Sequence, residues 1–322
     1  MSASRLALLV LLIGGGVWGC GGAAVSLHAP RCARSVARSE PTRVDLEPLT
    51  TRKDATLDST VVLGHPEPAE VLTTALKEEL DARALTGGEP GGYRVRCSLD
   101  RFALRMRMGM IGSATIATMY VDLGCAVETR TGQALIWRGA LRSRSMATAA
   151  TPLTPLSSET ALVQSLADRT MSDASRELAS DLAVRVLGLG GVPSARVFAD
   201  EAARAASGGV DDTLYGAVAL AEAPDRVGLA LPSLRDADPA VRAAVWNAVA
   251  MAAGPGDRWF AGDAPPDDEP VVRFYQYKAL ARSGSRVSLA KLRDLKKHEE
   301  EAWLVEMIDD ALATSGLGLA RR

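Results

Sequence analysis

Histidine is scarce in this chain: His28, His65 and His298 are the only three in 322 residues. None has a second ligand-type residue at helical or strand spacing, so no metal site and no imidazole base is expected. Cysteine is nearly as rare. The four cysteines form no Cys-x-x-Cys pair and no Cys/His cluster, which argues against a zinc module. Aromatic residues make up 4%, and Ala and Leu fill the apolar positions instead, a mix that favours helices in close contact. Excess charge of either sign is missing too. The 37 basic and 39 acidic side chains leave a net charge of -2, and no basic surplus marks nucleic acid as a partner. No Gly-x-Ser-x-Gly, Walker loop or His-Glu-x-x-His is present. The glycines between Gly87 and Gly92 precede a strand signal, so a phosphate cradle there lacks its helix N-terminus. Glu299-Glu300-Glu301 reads as a charge run at the start of a helix. The expectation is a protein with no cofactor, no metal and no enzymatic activity.

What is present begins at the N-terminus. Arg5 precedes an apolar run, Leu6 to Ile13, of the length of a secretion signal. Gly14 to Gly16 break that run, and Val17-Trp18-Gly19-Cys20 follows. This tetrapeptide resembles the bacterial lipobox at Val17, Gly19 and Cys20, with Trp18 where the pattern has a small residue. The resemblance implies cleavage before Cys20, a diacylglycerol on its thiol, and a palmitate-class acyl chain on its new amine. Two or more chains anchor a protein stably. The alternative is an uncleaved inner-membrane anchor, since residues 6–27 are long enough to span. Gly21, in place of the Asp that retains enteric lipoproteins, points to the outer membrane and a periplasm-facing protein.

The expected domains are a signal and lipobox at 1–20, a flexible tether at 21–58, an α+β domain at 59–190 and a helical repeat domain at 195–316. The tether carries Gly, Pro and scattered Arg without a period, and a chain of that length spans about 35 Å. The α+β domain reads β-α-β-β-β-α, a small sheet with two helices on one face. A strand at Ser59–Leu63 leads to a helix opened by Pro66 and Pro68. Tyr93, Val95, Cys97 and Leu99 alternate with polar residues. Phe102, Leu104, Met106 and Met108 continue with shifted parity, which predicts a bulge near Asp100–Arg101. Gly109 to Ser113 is the turn, Ile116–Thr129 and Leu135–Ser145 are further strands, 146–156 is a loop, and a long helix runs from Ser157 or Ser158 to about Leu187. In topology this resembles the sandwich of small outer-membrane accessory lipoproteins.

Two features of this domain invite a role. Arg94, Arg96, Arg105, Arg107, Arg138, Arg142 and Arg144 all fall on strands. They form either an anion-binding plate or a solvated face of cross-strand charge pairs. Cys97 and Cys125 are equidistant from the middle of the turn and share the apolar parity, so they are expected to oppose each other and form a disulfide. Two buried free thiols are the alternative.

The C-terminal part carries a repeat. Asp236-Ala237-Asp238-Pro239-Ala240-Val241-Arg242 aligns with Asp267-Asp268-Glu269-Pro270-Val271-Val272-Arg273. The pattern resembles short HEAT-like repeats. That resemblance implies an acid capping each helix, Pro239 and Pro270 in the first turn, Val241 and Val272 buried, and Arg242 and Arg273 reaching to a neighbouring unit. An ordinary helical bundle is the alternative. HEAT-like arrays mostly serve as protein-binding scaffolds. The expected role is therefore a lipid-anchored envelope lipoprotein that acts as an assembly or scaffolding factor on a protein partner. A binding or transport accessory for an anionic lipid or glycan is the alternative.

Overall fold

A computed structural model describes residues 24–28, 43–86, 92–108, 114–131, 134–150, 157–189, 234–236, 238–252 and 265–315. Within them the fold is mixed α+β, a five-stranded sheet with six α-helices. Cys20 and the Gly109–Ser113 turn lie outside the described residues.

The sheet is built on three long antiparallel strands, β5 (Tyr93–Arg107), β6 (Ala114–Thr129) and β7 (Leu135–Ala150). Leu99 pairs with Leu123 but Arg101 pairs with Asp122, so Asp100 is the extra residue of a bulge. The bulge reverses the parity of β5, so that Val95, Cys97 and Leu99 before it and Phe102 and Leu104 after it are all buried in one core. Gly124 makes room for the Asp100 carboxylate, because a Cβ there would stand 2.8 Å from Asp100 Oδ2. Cys97 and Cys125 are directly paired across β5 and β6 and form a disulfide, with Cα atoms 4.1 Å apart.

The expected tether needs correction. Ala24–Val25 is a short strand, β1, paired with β4 (Val62–Leu63). β2 (Val44–Leu46) and β3 (Thr50–Ser59) both lie parallel to β5 at one edge of the sheet. β3 exposes nearly every side chain, so it has no apolar alternation to betray it. Its Arg52, Lys53 and Asp54 sit at a register break and guard the edge against further pairing. The expected loop at 146–156 is corrected at its start, since β7 runs on to Ala150; residues 151–156 lie outside the described residues.

Helix α1 (Pro68–Ala82) opens with Pro68 at its first position, where a missing N–H costs nothing. Helix α2 (Ser157–Ser180) continues into a π-helical turn, Asp181–Val186. Gly188, with φ of +65°, ends it in a conformation that suits glycine. Both helices pack on one side of the sheet. Val71, Leu72, Leu76 and Leu80 of α1 join Met171, Ala174 and Leu178 of α2 over Phe102, Val121 and Leu123.

The C-terminal part contributes α3 (Pro239–Ala252), α4 (Pro270–Ser283), α5 (Arg286–Lys296) and α6 (Ala302–Ser315). Their core is Val249, Val272, Phe274, Tyr277, Leu304 and Ile308, with Phe274 stacked on Trp303 at 6.0 Å. One joint recurs along the chain. Asp236 accepts from the Asp238 amide at 2.9 Å, and Asp267 accepts from the Glu269 amide at 3.0 Å. Arg242 donates back to the Asp236 carbonyl and forward, through two nitrogens, to the Asp267 carboxylate at 2.8 and 2.9 Å. Arg273 donates back to the Asp267 carbonyl and forward to Glu299 at 2.9 Å twice. Glu299 in turn accepts from the Glu301 amide just before α6. Asp236, Asp267 and Glu299 thus each hold their own loop, and Asp267 and Glu299 also receive the arginine of the unit before. Val272 is fully buried, whereas Val241 is only partly so.

Candidate functional site

Six of the seven arginines read as a possible anion plate do not form an open one. Arg94 lies 3.5 Å from Glu47, and Arg96 pairs with Glu128. Arg105 pairs with Asp58 and with Glu306, and Arg107 also with Glu306. Arg144 binds Asp122 at 2.7 Å and Asp310 on α6. Arg142 donates to the Thr314 carbonyl at 3.1 Å. Much of the plate is therefore the seat of the protein's own α6. At its middle Tyr120 carries the guanidinium groups of Arg101 and Arg144 over its ring at 5.2 and 5.3 Å. Burial raises the Tyr120 hydroxyl above its ordinary pKa, so it stays neutral. Burial also works against the Asp310 charge, but Arg144 and Arg101 outweigh it and hold that carboxyl below its ordinary value.

A second joint lies beside the first. Glu177 of α2 is buried and accepts from three side chains: Ser143 of β7 at 2.6 Å, Lys278 of α4 at 2.9 Å and Arg282 of α4 at 2.6 Å. Arg282 also binds Asp181 and donates to the Ala250 carbonyl of α3 at 2.7 Å. The Tyr275 hydroxyl donates to the Met146 carbonyl of β7, and the Met146 side chain is buried in the helical core. β7 is the sheet's other edge, and this is how part of it is covered.

Between the two joints the elements leave a cleft of about 290 Å³. β7 supplies one wall with Leu141, Arg142 and Arg144. The end of α2 and its π-helical turn supply Asp181, Arg185 and Val186. α4 and α6 close it with Arg282, Met307 and Asp310. A π-helical turn often marks a functional position, and here it directs the Arg185 segment to the cleft. Sequence reasoning placed Arg142 and Arg144 on a strand but missed Arg185, Arg282 and the acids opposite. Those partners lie on segments far apart in the chain and share no motif.

The other expected residues fall elsewhere. The disulfide is in the sheet core, and Pro239, Arg242, Pro270 and Arg273 are at the recurring joints. His28 lies on the surface with Nδ1 3.0 Å from Asp168. Among the described residues no group of three or more His, Cys, Asp or Glu side chains is placed to hold a metal, and no helix is long and apolar enough to cross a membrane.

The fold is thus an α+β body whose sheet and helical array are joined by buried ion pairs. No protein-family model and no curated protein matches the chain. Among solved structures it is similar to a minor lipoprotein of Acinetobacter baumannii at 14% identity and a TM-score of 0.29, over 43% of this chain and 95% of that one. It is also similar to a Xanthomonas campestris protein assigned to the family DUF330, at 12% identity and a TM-score of 0.30, over 50% of this chain and 95% of that one. At such scores nothing about function follows from either likeness.

Proposed function

We propose that the protein is a non-enzymatic lipoprotein of the bacterial envelope, anchored through Cys20 in the outer membrane and facing the periplasm, where it serves as an assembly or scaffolding factor. The observation that carries the scaffold role is the recurring joint. The arginine of each helical unit, Arg242 and then Arg273, is clamped by two nitrogens to the opening acid of the next unit. An array propagated this way is read as HEAT-like, and it fixes a continuous helical surface on which a protein partner can dock. The anchor rests on the Val17–Cys20 tetrapeptide. Ala24 already pairs within the folded body. Four residues reach at most about 14 Å, so an anchor at Cys20 holds the body against the bilayer instead of clear of it.

The test is Cys20→Ser, followed by fractionation of cells. Release from the membrane fraction, or accumulation of an uncleaved precursor, is expected. Normal processing with retention in the membrane would overturn the anchor. Crosslinking in cells should then recover an envelope protein on α3 to α6, and Arg273→Ala should weaken that crosslink.

A further inference from the structure

Five cationic side chains line the cleft, Arg142, Arg144, Arg185, Lys278 and Arg282, against three carboxylates. The carboxylates are unequally shared. Arg282 takes oxygens of both Glu177 and Asp181, and Lys278 takes Glu177. Arg144 takes Asp122 and Asp310. Arg185 is left with Asp181 Oδ1 at 3.5 Å, the same oxygen that Arg282 holds. Arg142 reaches Asp122 Oδ1 only at 3.9 Å, the same oxygen that Arg144 holds at 2.7 Å. Two guanidinium groups, Arg142 on β7 and Arg185 on the π-helical turn, therefore line one cleft beside carboxylate oxygens that other arginines hold more closely.

We infer that this cleft binds a small phosphate-type dianion, held by Arg142 and Arg185. Two forks suit a tetrahedral group with several acceptor oxygens, whereas a single carboxylate fills only one fork. The balance of charge agrees. Burial lowers the pKa of both Arg142 and Arg185, which their distant acids do not offset, while the well-paired Arg144 and Arg282 are raised. An added anion would supply the missing compensation. The volume lies near the lower end of small-molecule sites, which run from about 300 to 1,000 Å³. It admits a phosphate with a small substituent, and it excludes acyl chains. The group is either a soluble phosphate or the head of a phospholipid, and the inference does not depend on the anchor at Cys20.

The experiment uses the full chain at low ionic strength, where such binding is strongest. Inorganic phosphate is titrated by calorimetry, and flotation is measured on phosphatidylcholine vesicles with and without phosphatidic acid. Saturable binding in at least one arm is expected. Arg142→Ala combined with Arg185→Ala should weaken it at least about tenfold. Arg185→Lys should fall between, because it keeps the charge and loses the fork. Arg94→Ala, outside the cleft, should bind like the parent. Thermal melts identify any variant that fails to fold, and the single variants Arg142→Gln and Arg185→Lys then stand in for the pair. Binding of phosphate alone assigns a soluble ligand, and arginine-dependent binding of phosphatidic acid vesicles assigns a head group. No saturable binding in either arm, or equal binding by the folded arginine variants and the parent, overturns the inference.

Discussion

The two coverings of the sheet differ in kind. Toward α1 and α2 the sheet presents Val95, Leu99, Phe102, Leu104, Val121 and Leu123, all fully buried, with a disulfide among them. Toward the C-terminal helices it presents Arg101, Arg105, Arg144, Asp122 and Tyr120, and the helices answer with Glu306 and Asp310. The first covering is non-directional and follows apolar area. The second is specific in geometry, since each charge must find its partner or remain buried without one. The sheet domain is held together by area, and the C-terminal helices are docked in one orientation by charge.

The comparison is tested hardest by removing Phe102 from the apolar covering and, from the charged joint between α2 and α4, Glu177. Glu177→Ala leaves Lys278 and Arg282 buried beside each other without their shared acid and should cost about 3–5 kcal/mol. Phe102→Ala should cost a similar amount, about 3–5 kcal/mol, by opening a cavity. Hydrogen exchange separates the two. Glu177→Ala should speed exchange in α3, α4 and α6 and leave β5 and β6 protected, whereas Phe102→Ala should loosen the strands first. If both variants loosen the whole molecule alike, the two coverings are one cooperative unit.

Next in size is the disulfide. Cys97 and Cys125 enclose a sequence separation of 28. In the chain-entropy model, reduction should then cost about 3–4 kcal/mol, measured as a shift of the urea midpoint. The shift should appear in the sheet transition, and an unchanged midpoint would mean that reduced chains keep the loop closed.

Acid should affect the charged covering alone. The Asp310 carboxyl titrates below its ordinary value because Arg144 and Arg101 outweigh its burial. Its contribution is therefore fully present above the unfolded carboxyl pKa, near 4, and is lost as pH falls through the lower folded value. Arg101, Arg144, Arg142, Asp122 and the neutral Tyr120 are the groups that face it. Protection of α6 should hold from neutral pH down to about 4 and fall below it. Asp310→Asn should flatten that dependence. An equal acid response in the variant would assign it to other carboxylates.

The apolar covering was legible in the sequence and the charged one was not. Alternation in Tyr93–Leu99, its parity change near Asp100 and the spacing of Cys97 and Cys125 carried the three long strands, the bulge and the disulfide. β3 escaped because it is an edge strand exposed on both sides, and its Thr, Arg, Lys and Asp residues carry no period. The arginines of β5 and β7 were visible, but their partners were not. Arg101 and Arg144 meet Asp310 across 209 and 166 residues of chain. A cluster assembled over such separations leaves no spacing to read. The recurring joints lie between these cases: the shift from Asp236 to Asp267 showed the repeat, and the structure added that Glu299 receives the second arginine.

The Asp310 joint also sets an order in time. Ribosomes make Arg144 long before Asp310, and domains fold as they emerge. The sheet can close on α1 and α2 while its arginine face still has only the sheet's own acids, such as Asp122 and Asp58, and water for company. Until α6 arrives, that face is cationic and open. The cleft takes form only when the last charges are seated, so its binding competence marks a chain whose two parts have both folded.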